Sequence, residues 1–227
     1  FDLMAGMTQS LAGRVGRVEL LPLSGVELGE QRLPSQLETL LWRGGYPALH
    51  DRDLDPADWF ANYVATYLER DVRQLVAVRD LSPFQRFVRM CAARSGQLLN
   101  LTALGNDCGI SGVTARAWLS VLEASYLVAR LQPYHRNFGK RLVKTPKLYF
   151  LDVGLMTWLL GIRDAASLET HAARGALFES WVVSELLKQR YNAGQPADLC
   201  FWRDSSGHEV DVVIETPAGL QAVEIKS

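Results

Sequence analysis

The 227-residue chain has little cysteine: Cys91, Cys108 and Cys200 are widely spaced, odd in number and without a CxxC pair. That pattern excludes a disulfide framework and a zinc site, and leaves reduced thiols that read as small hydrophobes. Long apolar runs are missing too. The longest, over 148–162, is interrupted by Asp152 and is too short to cross a bilayer, and no signal peptide opens the chain. A cytoplasmic protein with no membrane partner is expected. Neither charge is in excess: 24 Lys and Arg stand against 25 Asp and Glu, a formal net charge of -1. Contact with nucleic acid must therefore come from a local basic patch and not from a global field. No GxxxxGK[ST] loop occurs, so these residues bind no nucleotide by that route. Phe1 is not a methionine and Ser227 directly follows a strand-like run, so a piece of a longer protein is expected.

What is present is a 48% hydrophobic composition, enough to bury the cores of two or three compact units. The expected fold is mixed α and α/β in three parts. Residues 1–80 read as mainly helical. Asp55 and Pro56 form an N-cap and first-turn signature, after which Trp59, Phe60, Tyr63, Val64, Tyr67, Leu68, Val72 and Leu75 recur at helical spacing, a stripe that reads as core.

Residues 81–161 begin with a helix from Ser82 to Arg94, then a short helix in "NLTALGNDCGI", a tight glycine-containing turn and an amphipathic helix in "ISGVTARAWLSVLEASYLV". The strand-like "YLVARLQPY" and "KLYFLD" follow, and the whole is the outline of a winged helix. Ser111, Thr114, Arg116 and Ser120 then fall on the exposed face of its recognition helix. Between the strands lie Arg136, Lys140, Arg141, Lys144 and Lys147 with no acidic residue, a set suited to phosphate contacts. The same basic stretch equally fits a solvated hairpin tip or an acidic protein partner.

Residues 162–227 read as one helix and three strands. In "ALFESWVVSELLKQRY" the acidic Glu179 intrudes among inward-facing apolar positions, and the strands are "LCFWRD", "EVDVVIE" and "LQAVEIKS". Alternation puts Glu209, Asp211 and Val213 on one face, and Ala222, Glu224 and Lys226 on another. If the turn closes about Pro217 and Ala218, Glu215 pairs with Leu220, Asp211 faces Glu224, and Glu209 faces Lys226. Like charges so placed call for a cation between them, and oxygen ligands suit magnesium or manganese, with Glu179 within reach from the helix. The plain alternative is a solvated hairpin face held by a Glu209 to Lys226 pair.

Glu179, Asp211 and the run Glu224, Ile225, Lys226 resemble the signature of the PD-(D/E)xK nuclease superfamily. The resemblance implies a truncated αβββ nuclease-like domain in which Asp211 and Glu224 bind Mg2+ or Mn2+, helped by the Ile225 carbonyl. It further implies that Lys226 positions the attacking water and that Glu179 completes the outer coordination, giving metal-assisted phosphodiester hydrolysis. Five separated blocks, "SLAGRVGRVELLPLSGVE", "RGGYPAL", "YVATYLERDV", "KRLVKTPKLYFLDVGL" and "GALFESWVVSELL", are similar to the C-terminal part of a large bacterial and archaeal AAA+ type ATPase family. By that resemblance the chain begins with the tail of the ATPase core, with Arg14 as a nucleotide-sensing arginine, and the helices to Asp80 form its lid. The phosphate-binding loop then lies upstream of Phe1, ATP is a ligand of the full-length protein only, and the core is the route to a homo-oligomer. Two functions stay open: an ATP-driven, magnesium-dependent nuclease acting on DNA, or an inert ATP-regulated switch or scaffold that binds DNA or protein.

Overall fold

The computed structural model of the chain describes residues 18–67, 80–134 and 144–226. Polar caps open several of its helices. The Ser24 hydroxyl accepts from the Glu27 N–H while the Glu27 carboxylate takes the Ser24 N–H at 2.8 Å, a reciprocal box that starts α1 (Gly25–Arg32). α2 (Leu37–Arg43) and α3 (Pro47–Asp51) follow. Asp55 accepts from the Asp58 N–H at 3.0 Å and Pro56 fills the first turn of α4 (Pro56–Tyr63), where the sequence predicts them. The predicted continuation through Leu68, Val72 and Leu75 lies outside the described residues. Trp59 and Tyr63 stack at 5.1 Å and Tyr63 and Tyr67 at 5.3 Å, while Phe60 is buried, so the aromatic stripe packs on itself and on the core.

α5 (Ser82–Ala93) and α6 (Leu101–Cys108) come next. α6 stops at Gly109, whose left-handed φ of 71° suits a residue without a Cβ. After the turn at 109–111, Ser111 caps α7 (Gly112–Ala124) through the Thr114 N–H at 3.0 Å. β1 (Val128–Pro133) and β2 (Lys147–Phe150) pair antiparallel, Val128 opposite Phe150. The apolar run over 148–162 divides at Asp152, which caps α8 (Val153–Leu159) by accepting the Leu155 N–H at 2.7 Å. α9 (Arg174–Asn192), β3 (Leu199–Arg203), β4 (Glu209–Thr216) and β5 (Gly219–Val223) complete the chain.

The strands form one five-stranded mixed sheet in the order β2-β1-β3-β4-β5. β1 and β3 are parallel, Gln132 opposite Cys200, and the other neighbours are antiparallel. One sheet thus joins strands from residues 81–161 to strands from residues 162–227. The β4–β5 hairpin sets Glu215 opposite Leu220, the pairing its turn predicts. β2 buries both faces: Leu148 and Phe150 enter the helical core with Phe60, Phe87 and Trp118, while Tyr149 enters a second core with Val183, Phe201 and Val212 beneath α9. Among the described residues, no helix is long and apolar enough to cross a membrane.

Close backbone crossings fix how α8 meets the turn after α2. A Cβ built on Gly154 would lie 2.7 Å from the Arg43 carbonyl oxygen and 2.8 Å from the Gly44 nitrogen, backbone atoms that cannot step aside alone. Gly154→Ala is expected to cost about 1–3 kcal/mol, the usual range for overpacking. Gly112→Ala, whose Cβ meets nothing closer than 3.9 Å, is expected to be near neutral. Urea unfolding of the two variants beside the parent checks the contrast.

Candidate functional site

α9 presents Glu179, Val183 and Leu187 at a spacing of four, so they share one stripe. Val183 and Leu187 are buried in the second core, and Glu179 therefore heads the row that faces the sheet. Its Oε1 accepts from the Tyr149 hydroxyl at 2.6 Å and from the Lys147 ammonium at 3.2 Å. Lys147 Nζ also pairs with Glu209, and it lies 5.6 Å from the Phe201 ring centroid and 6.0 Å from that of Tyr149. The second Glu209 oxygen accepts from Arg203 at 3.0 Å. The Lys147 side chain is only 4% exposed, against 23% for Glu179 and 22% for Glu209. Burial, then Glu179, and after it the charges of Asp211 and Glu209, push the Tyr149 hydroxyl far above its ordinary pKa. It therefore stays a protonated donor to Glu179.

A bulge in β4 sets the carboxylates around this lysine. Cys200 pairs with Val213, yet Trp202 pairs with Val210, so two steps along β3 face three along β4. Asp211 and Val212 together stand opposite Phe201. The extra residue reverses the alternation, and Glu209, paired with Arg203, comes onto the face of Phe201 and Ile214. This corrects the sequence expectation that Glu209, Asp211 and Val213 share a face and that Glu209 meets Lys226. Its partners are Lys147 and Arg203. Asp211 accepts from the Ile225 N–H at 2.7 Å, clasping the chain just past the end of β5. The register of β4 and β5, carried one step beyond Val212 and Val223, sets Asp211 opposite Glu224. Glu224 and Lys226 are exposed.

The donor chemistry would suit a hard divalent ion, but the arrangement does not. Glu179 is engaged by Lys147 and Tyr149, and Asp211 holds the Ile225 N–H. Among the described residues, no three His, Cys, Asp or Glu side chains come together as a ligand group. Glu179, Asp211 and Glu224 therefore do not fit a Mg2+ or Mn2+ centre as they stand. What the site does hold is an internal chain of charge from Arg203 through Glu209, Lys147 and Glu179 to Tyr149.

The basic residues separate. Arg116 and Ser120 are exposed on α7, Ser120 donating back to the Arg116 carbonyl at 3.1 Å, and Lys144 is exposed ahead of β2. Lys147, counted with the phosphate contacts on its sequence, is buried. Strand alternation explains the correction: Leu148 and Phe150 go to the helical core, so Lys147 and Tyr149 must face α9. Arg14, Arg136, Lys140 and Arg141 lie outside the described residues. Sequence reasoning missed Lys147, Tyr149 and Arg203 as partners of the carboxylates. The alternation in "KLYF" was the one signal for the first two.

A family model described as "Domain of unknown function (DUF8612)" matches residues 34–166, and the chain belongs to that family. A second, "Domain of unknown function (DUF4143)", matches residues 174–227, from α9 through β5. The uncharacterized protein Rv2008c of Mycobacterium tuberculosis is 34% identical over 227 residues, covering 99% of this chain and 50% of its own length. The uncharacterized protein Mb2031c of Mycobacterium bovis gives the same figures, so the chain spans about half the length of these curated relatives. No solved structure matches the chain.

Tyr149→Phe removes the hydroxyl from Glu179 and little else. A loss of about 1.5–3 kcal/mol is expected, the range for hydrogen bonds to charged groups, and chemical denaturation of the two proteins at neutral pH measures it.

Proposed function

We propose that the chain is the recognition part of an ATP-driven protein, binding duplex DNA through a winged-helix-like element and carrying a nuclease-like domain that does not cut. The observation that carries this reading is the closed carboxylate group, with Lys147 between Glu179 and Glu209 and, among the described residues, no three carboxylate, His or Cys donors converging. Support for DNA binding comes from the helix, short turn and helix of α6 and α7 followed by β1 and β2, with Arg116 exposed on the second helix and Lys144 at the foot of β2. In the sequence, the stretch between these strands is basic and without an acidic residue, a composition suited to phosphate contacts. ATP, the sensing arginine Arg14 and a homo-oligomer formed through an ATPase core belong to this proposal through the family resemblance.

A second reading has its own observation. The hairpin register, carried one step beyond Val212 and Val223, would set Asp211 opposite Glu224, two residues before Lys226, and that favours Mg2+- or Mn2+-dependent phosphodiester hydrolysis in the whole protein. Fluorescence anisotropy with a labelled duplex, run beside a cleavage assay in Mg2+ and Mn2+, separates the two. Binding that weakens with salt and loses roughly one unit of salt slope in Lys144→Ala, with no cutting, is the expected result. Metal-dependent cutting that disappears in Asp211→Asn replaces it with the catalytic reading, and absence of binding removes both forms of DNA contact.

A further inference from the structure

The group beneath α9 balances its own charge. Glu179 and Glu209 bring two negative charges, and Lys147 and Arg203 bring two positive ones, the charge that a single divalent ion would supply. Lys147 is also the most deeply buried member, reaching across Phe201 and Tyr149 to both glutamates from a strand that Leu148 and Phe150 anchor on its far face. Asp211 adds a third carboxylate close enough to act on the Tyr149 hydroxyl. Among the described residues, the groups paired with the ammonium or lying against it are Glu179 from α9, Glu209 from β4, Phe201 from β3 and Tyr149 from β2.

We propose that Lys147 is the resident cation of this carboxylate group, lodged where a divalent ion would otherwise be drawn, and that it keeps the nuclease-like domain free of metal. An incoming ion must displace a buried ammonium whose own pairing is lost in the exchange, and breaking such a pair leaves an uncompensated buried charge. Removing the lysine reverses that balance. Glu179 and Glu209 are then left as a pair of carboxylates without their shared cation, oxygen donors of the kind that hard divalent ions select. This deepens the reading of the domain as one that does not cut, and it names the residue responsible.

The test is titration of the 227-residue chain with Mn2+, by calorimetry and by thermal melting, in the parent, Lys147→Met, Lys147→Arg and the double variant Lys147→Met with Glu209→Gln. The parent and Lys147→Arg are expected to show no saturable binding. Lys147→Met is expected to bind one Mn2+ at least tenfold more tightly than the parent and to melt higher when the ion is added, and Glu209→Gln in that background is expected to abolish both. Should Lys147→Met fail to fold by circular dichroism, Lys147→Gln, which keeps a polar tip, takes its place with the same expectation. Equal Mn2+ affinity in the parent and the folded neutral variant overturns the proposal, as does a folded neutral variant that gains none. DNA binding by the parent is measured on the same samples. Its loss strikes the recognition reading while leaving the ion result standing, so the two failures are told apart.

Discussion

A single buried carboxylate at the β2–α8 junction ties the N-terminal helices to the rest of the chain. Asp152 is wholly enclosed, with one oxygen accepting the Leu155 N–H and the other the Gly45 N–H, each at 2.7 Å. Burial raises its pKa above the ordinary carboxylate range, and the two backbone donors pull it back toward the charged form. Gly44, Gly45 and Gly154 leave no room for a Cβ around it. Because Asp152 directly follows the strand, this knot also anchors the end of β2 and so the position of Tyr149 and Lys147 beneath α9.

From that anchor the site follows by geometry. β2 alternates, sending Leu148 and Phe150 to the helical core and Lys147 and Tyr149 to the other face. α9 lies on that second face with Glu179 at the head of its buried stripe, and the β4 bulge turns Glu209 toward the same place. Neither glutamate needs a metal to be tolerated there, because Lys147 from β2 pairs with both and Arg203 from β3 pairs with Glu209.

Local signals were legible in the sequence and non-local ones were not. The cap at Asp55, the helix carrying Glu179 and the hairpin pairing of Glu215 with Leu220 all rest on a few adjacent residues, and the structure places them accordingly. The bulge was hidden because one extra residue in "EVDVVIE" changes no composition and breaks the alternation only relative to its partner strand. Lys147 was misplaced because its basic neighbours dominate the local charge pattern, whereas its burial depends on Glu179 and Glu209, which are distant in sequence. The parallel pairing of Gln132 with Cys200 spans a comparable distance and leaves no trace in either strand's composition.

A buried charge network is a costly way to hold a sheet together, since well-packed apolar residues often stabilise as much or more. Its value here lies in register. A slip of β2 by one residue would turn Lys147 and Tyr149 into the helical core among Phe60, Phe87 and Trp118, and would bring Leu148 and Phe150 against the two glutamates. An all-apolar β2 would tolerate that slip, whereas a strand carrying one lysine and one tyrosine on the same face is penalised twice, by an unpaired ammonium in one core and by unpaired carboxylates in the other. The same residues that close the carboxylate group therefore also specify which face of β2 meets α9, and a change at Lys147 acts on the sheet's alignment as well as on the charge of the site.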